Sequence, residues 1–188
     1  KYMGAVTLAL AVQCLVVYQL LLFVFTRLNP LRFLKRFSPV MMFAFTTATS
    51  NATIPLSIDT LDKKIGVSKK ISSFTIPLGA TINMDGTSIM QGVAVIFIAQ
   101  VYGMELTPAQ LLTVIATAMI ASIGTAGIPS VGLIMLAMVL TSVGLPTEGI
   151  ALIMGIDRIL DMLRTAVNIT GDAVCTTIVS SQNKELDR

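Results

Sequence analysis

Histidine and tryptophan are absent from this 188-residue chain, cysteine occurs twice, and charged residues make up only 12%. Without histidine the usual base for a serine nucleophile is missing, and with so few thiols and no imidazole a transition-metal centre is a poor candidate. Cys14 and Cys175 both lie in apolar segments without metal-like spacing. They read as small core residues rather than as a disulfide. A soluble domain carries about 25% charged residues. Half that share, with 54% hydrophobic residues and a mean hydropathy of +0.84, makes lipid the solvent. Neither an organic cofactor nor a nucleic-acid partner is expected.

From Tyr2 to Thr26 there is no charge at all, and about 20 such residues as a helix cross the hydrocarbon layer. The run is too long for the apolar part of a signal peptide and lacks a small-residue cleavage site. A transmembrane helix over residues 1–27 is therefore expected. Because the chain opens on Lys1 and enters this helix directly, it is also expected to be a piece of a longer protein.

Positive charge is missing in a second, informative way. Of the 13 Lys and Arg residues, eight fall in two clusters: Arg27, Arg32, Lys35 and Arg36, then Lys63, Lys64, Lys69 and Lys70. Between Lys70 and Arg158 there is none, and the loops there carry Glu105 and Glu148. The positive-inside rule puts both clusters on the cytoplasmic side and the Glu-bearing loops outside. The apolar stretch 37–62 then begins and ends on one side. Its first arm, Phe37 to Ala48, is about 18 Å long as a helix, too short to cross. A polar tip follows at Thr49-Ser50-Asn51-Ala52-Thr53, before Ile54-Pro55. This predicts a re-entrant hairpin from the cytoplasm. Residues 108–144 repeat the pattern from the outer side, with arms Pro108–Ala121 and Leu133–Val143 around a tip from Ser122 to Pro129. Irregular backbone at membrane depth survives only where it is buried in protein or lines a cavity.

Each hairpin precedes a long segment interrupted by a related string. Residues 71–102 contain Asn83-Met84-Asp85-Gly86-Thr87, and residues 149–181 contain Asn168-Ile169-Thr170-Gly171-Asp172. The hairpin tips end alike, in Ala52-Thr53-Ile54-Pro55 and Ala126-Gly127-Ile128-Pro129. The expected fold is therefore an all-α membrane protein: transmembrane helices plus two opposed re-entrant hairpins in an inverted repeat, with broken helices at both strings. A broken helix frees carbonyls for small cations and N-termini for carboxylates.

In the last segment Asp157, Asp161, Arg164, Thr165, Asn168 and Asp172 are spaced by four, three, one, three and four residues, within an arc of about 100° on one helix face. Ionisable residues inside a membrane are expensive and usually functional, although ion pairing of Asp157 with Arg164 also explains part of the set. Arg164 suits a carboxylate, gripped in bidentate fashion. Asp161 suits an ammonium group and Asn168 an α-carboxylate. Asp85 and Asp172, each beside a glycine at an expected break, suit a hard cation, Na⁺ first and H⁺ on a carboxylate second. The pattern points to cation-coupled movement of an acidic amino acid. A cation-selective channel, or a proton-coupled symporter of cystine or a dicarboxylate, stands as the alternative. An enzyme is not expected: the Tyr-Asp and Gly-x-Gly-Asp pair of an intramembrane aspartyl protease is absent.

These motifs, Asn83–Thr87, the Ser122–Pro129 tip and the Asp161…Arg164-Thr165…Asn168…Gly171-Asp172 series, resemble the glutamate/aspartate and dicarboxylate–cation symporters, over essentially the whole chain. The resemblance implies that Thr165, Asn168, Ser50 and Thr87 complete a solute site around Arg164 and Asp161. It implies one cation site from Asp172 with carbonyls of Gly79, Asn83 and Asn168, and a second from carbonyls of Thr81, Ser122, Ile123 and Thr125. A third would use Asn83 and Asp85 with a helix outside this chain. It further implies a multi-pass protein of the cell membrane, a homotrimer through N-terminal helices not present here, and a second hairpin acting as lid. The chain departs from the family in one respect. Members carry a further Arg in the first tip or at the position of Met162, and this chain has neither, which leaves Arg158 as its nearest candidate.

Overall fold

In the computed structural model, residues 1–123 and 130–186 are described. Among them the secondary structure is helical, apart from one isolated bridge between Val67 and Leu186.

The opening apolar run forms one helix, Tyr2–Thr26. It comprises α1 (Tyr2–Val12), a π-helical turn at Gln13–Val17 and α2 (Tyr18–Thr26). Arg27 ends it in a left-handed conformation, φ 60°. Asn29 then starts α3 (Pro30–Thr47), its Oδ1 accepting from the Leu31 and Arg32 amides at 2.9 and 3.2 Å. Proline at the first helical position costs no hydrogen bond there. α3 thus begins at Pro30, ahead of Phe37, where the expected first arm starts. It spans 18 residues, about 27 Å, instead of the expected 12 residues and 18 Å. Arg and Lys are good helix formers, so the basic stretch joins the helix, and the Asn-Pro pair supplies its start.

Only Ala48 and Thr49 separate α3 from α4 (Ser50–Thr60). The expected polar tip is therefore mostly helical, with Pro55 inside α4. The two helices pack on each other. A turn at Leu61–Ile65 closes on Gly66, whose φ of 86° suits a residue without Cβ.

The second long apolar segment, Lys69–Val101, is long enough to cross a membrane but is interrupted. α5 (Lys69–Ile82) ends where Asn83 leaves helical geometry (φ −97°, ψ 82°), and α6 (Asp85–Val101) restarts after Met84. The break is two residues, narrower than Asn83–Gly86, because Asp85 and Gly86 already belong to the next first turn. α7 (Pro108–Ile123) and α8 (Val131–Ser142) pack as a second helical pair, near the limits read from the sequence. The tip residues 124–129, with the Ala126–Pro129 quartet, lie outside the described residues.

α9 (Ala151–Gln182) is a single uninterrupted helix of 32 residues. This corrects the expectation of a break at Asn168–Gly171. Gly171 serves proximity instead: a Cβ there would lie 2.5 Å from Tyr18 Oη and 2.8 Å from Asn83 Nδ2. The Thr170 and Thr177 hydroxyls bond back to the carbonyls of Ala166 and Ala173, at 2.7 Å each, and so stay within the helix. α9 packs against α1 through α6, so its polar stripe lies in the interior. Every residue from Arg164 to Val174 on it is buried.

Candidate functional site

Asp157, Asp161, Arg164, Thr165, Asn168 and Asp172 are all buried, as their common helical face requires. Arg164 is 1% exposed, and its charge is met on its own helix. Nη1 donates to Asp157 Oδ1 at 2.8 Å, and Nη2 donates to Asp161 Oδ1 at 2.7 Å and Asp157 Oδ2 at 3.5 Å. Its Nε, also buried, has no hydrogen-bond partner among the described residues. Two carboxylates around one guanidinium leave the buried trio one negative charge in excess. Arg158 stands at the rim, Nη1 4.0 Å from Asp161 Oδ2. Asp161 Oδ2 also accepts from the Ser130 amide at 3.0 Å. The start of α8 is thereby tied to the ionic cluster.

The same helix start closes on Thr87. A Cβ on Gly132 would lie 3.1 Å from Thr87 Cγ2 and 3.6 Å from Arg164 Nη2, so Thr87, α8 and the guanidinium meet at one point. Gln91 Nε2 reinforces the contact by donating to Gly132 O at 3.3 Å. Thr165 spends its hydroxyl on Asp161 O at 2.9 Å. Ser50 is buried at the first residue of α4, a helix that packs on α9.

One turn further along α9 the site changes from ionic to amide chemistry. Asn168 Oδ1 accepts from the Gly86 amide at 2.8 Å, and its Nδ2 lies 3.2 Å from Met84 Sδ. The freed amide at the start of α6 is thus satisfied by α9. Asn83, at the break, donates through Nδ2 to Asp172 Oδ1 at 2.7 Å, with Asn168 O at 3.4 Å. Gly79 lies so close that a Cβ would meet Asp172 Oδ1 at 2.5 Å. Gly79, Asn83, Asn168 and Asp172 therefore converge, and a cleft of about 320 Å³ lined by Thr75, Cys175 and Thr176 opens onto Asp172.

Asp85 is held by the first helix. Its Oδ2 accepts from Tyr18 Oη at 2.9 Å and from Gln13 Nε2 at 3.1 Å. Gln13 stands in the π-helical turn, a deformation often found at functional positions. Sequence reading missed both partners. The polarity of Gln13 in an apolar span was visible, but its target lies 72 positions away. Of the residues grouped for a second cation site, Ser122 is buried and accepts from Ser88 Oγ at 2.7 Å, whereas Thr81 and Ile123 are exposed. Thr125 lies outside the described residues.

Fold and site together define a helical protein with an apolar exterior and a buried stripe of charges and amides beside a helix break. The chain belongs to the sodium:dicarboxylate symporter family, whose sequence profile matches residues 1–182. That is a family of transporters, not of enzymes. The chain is 43% identical over 183 residues to an excitatory amino acid transporter of Caenorhabditis elegans, covering 97% of this chain and 36% of that protein. It is 43% identical over 184 residues to excitatory amino acid transporter 3 of Mus musculus, covering 98% and 35%. To excitatory amino acid transporter 1 of Homo sapiens it is 44% identical over 178 residues, covering 95% and 33%. The chain thus spans about a third of the length of these relatives.

Proposed function

We propose that this chain is the transport core of a secondary transporter that carries an acidic amino acid, glutamate or aspartate, together with Na⁺ by alternating access. The observation that carries the reading is the buried pair of Arg164 and Asp161, one helical turn apart and joined at 2.7 Å. A buried guanidinium is costly unless a negative group answers it. An acidic amino acid brings a carboxylate for Arg164 and an ammonium for Asp161, so it replaces their mutual contact with two matched ones. Asn168, on the same face, holds the second carboxylate, and Thr165, Thr87 and Ser50 complete the pocket.

The first cation site is the convergence of Asp172 with Gly79, Asn83 and Asn168, a carboxylate beside a helix break. Asp85 belongs to a further site with Asn83. Thr81, Ser122, Ile123 and Thr125 form the remaining one when α7 and α8 close. Each convergence uses oxygen donors, the ligands that small hard cations prefer.

In the membrane, residues 1–27, 71–102 and 149–181 are transmembrane segments. Residues 37–62 and 108–144 are re-entrant hairpins entering from opposite faces, the second serving as lid through its contact with Asp161. The lipid bilayer of the cell membrane is the setting, with several passes, and the working assembly is a homotrimer through segments N-terminal to this chain.

The test is uptake of labelled aspartate and glutamate into proteoliposomes holding the full-length protein, with and without an imposed Na⁺ gradient. Uptake should follow the gradient, and Arg164→Ala should abolish it. Uptake by Arg164→Ala at the unaltered rate would refute the site, and currents of Na⁺ without any solute would favour a channel.

A further inference from the structure

The two basic clusters have no part in the proposed transport site, yet one of them is shaped. Arg27, Arg32 and Arg36 line a pocket of about 340 Å³, floored by Leu28, Phe33 and Ile65. It lies where three elements meet: the end of the Tyr2–Thr26 helix, the first turns of α3 and the Leu61–Ile65 turn. Arg36 fixes the junction, its Nη1 donating to Lys64 O at 2.8 Å.

None of these three guanidiniums has a carboxylate partner among the described residues. Of the acids before and within the Leu61–Ile65 turn, Asp59 pairs with Lys63 at 2.5 Å, and Asp62 lines a different cleft with Ser68 and Glu185. The amides of Leu31 and Arg32 are already capped by Asn29, so an anion in the pocket must be held by the guanidiniums themselves. Beside the pocket, α2 turns Leu20, Phe23, Val24 and Phe25 outward, and Leu31 at the rim is exposed as well. The occupant this surface fits is therefore anionic at one end and apolar along its length.

We propose that the pocket binds the phosphate-bearing headgroup of an anionic phospholipid, with the acyl chains laid along the outward face of α2. Arginine matches a phosphate with paired N–H donors. Basic pockets at the cytoplasmic boundary of a span are attracted to anionic lipid by about fivefold in affinity per Lys or Arg (roughly 1 kcal/mol each). The inference rests on reading Tyr2–Thr26 as a span, and its test does not depend on transport.

Purified full-length protein in detergent is titrated with dioctanoyl-phosphatidylglycerol, dioctanoyl-phosphatidylcholine or inorganic phosphate, and binding is followed by native mass spectrometry. The phosphatidylglycerol should bind saturably and at least tenfold more tightly than the phosphatidylcholine. The double variant Arg27→Gln/Arg32→Gln should weaken it roughly 30-fold, whereas Lys69→Gln/Lys70→Gln, with the same loss of charge, should change it less than threefold. Equal binding of the two lipids overturns the proposal, and that comparison needs no variant. Equal weakening by the lysine variant overturns it in favour of diffuse surface charge. Inorganic phosphate binding as tightly as the lipid overturns it in favour of a free anion site. Aspartate uptake is not a readout, so loss of this inference leaves the transport reading intact.

Discussion

Arg164 and Asp161, the two groups that suit the opposite ends of an acidic amino acid, are bound to each other at 2.7 Å in the buried stripe of α9. The pairing is self-consistent physically. Asp157 holds the other side of the guanidinium at 2.8 Å, so Arg164 stays neutralised when Asp161 turns toward an ammonium group. On the proposed reading Asp157 is the permanent counter-ion and Asp161 the exchangeable one; Asp161 is joined also to Ser130 at the start of α8.

Asp161→Asn should weaken aspartate binding by roughly 10- to 100-fold, the 1.5–3 kcal/mol of a hydrogen bond to a charged group. A dicarboxylate without an ammonium group, such as succinate, should lose much less. Competition binding with the two solutes measures the difference, and equal losses would remove Asp161 from the ammonium role.

Asp157→Ala should act on the fold more than on solute choice. The variant loses a charge-assisted hydrogen bond to Arg164, about 1.5–3 kcal/mol, and leaves Asp161 as the counter-ion of the guanidinium. Thermal unfolding of the purified variant should show a clear drop in midpoint, with the preference between acidic and neutral amino acids kept in whatever binding remains.

Gly79→Ala tests the cation cradle from its backbone side. Alanine should favour helix α5 by up to about 1 kcal/mol, yet its Cβ would stand 2.5 Å from Asp172 Oδ1 and force that carboxylate away from Asn83. The Na⁺ concentration giving half-maximal aspartate binding should rise several-fold, with a lower unfolding midpoint because a buried carboxylate loses its bond to Asn83. An unchanged Na⁺ requirement would detach Asp172 from the cation.

Tyr18→Phe removes one hydrogen bond, that to Asp85 Oδ2 at 2.9 Å, and leaves Gln13 in place. A change of about 1.5–3 kcal/mol is expected in the apparent Na⁺ affinity or in stability, larger than the same substitution at exposed Tyr102. Paired titrations of the two variants check it.

How much of this was legible beforehand differs by residue. Asp161, Arg164, Asn168 and Asp172 were readable because a straight helix converts spacing directly into a shared face. The break at Asn83 was readable because an Asn-Met-Asp-Gly string in an apolar run offers poor helix continuity. Gly171 misled because a glycine in a helix marks either a break or a close neighbour, and only the position of Tyr18 decides which. Gln13 and Tyr18 were silent because their partner Asp85 is brought to them by tertiary packing alone. The start of α3 lies ahead of the expected arm because the Asn29 cap and Pro30 set the boundary and the basic residues continue the helix. The opposed entry of the two hairpins rests on charge asymmetry between loops, which is a statement about a bilayer and not about contacts within the chain.

The central claim is that solute at Arg164 and cation at Asp172 are held by one helix and are therefore thermodynamically linked. The direct measurement is the equilibrium dissociation constant of aspartate across a Na⁺ series at fixed pH and ionic strength, with choline as the replacement. The account predicts that aspartate affinity rises steeply with Na⁺ in the unaltered protein and that Asp172→Asn flattens the slope. Aspartate affinity that is the same in choline as in Na⁺ would contradict it.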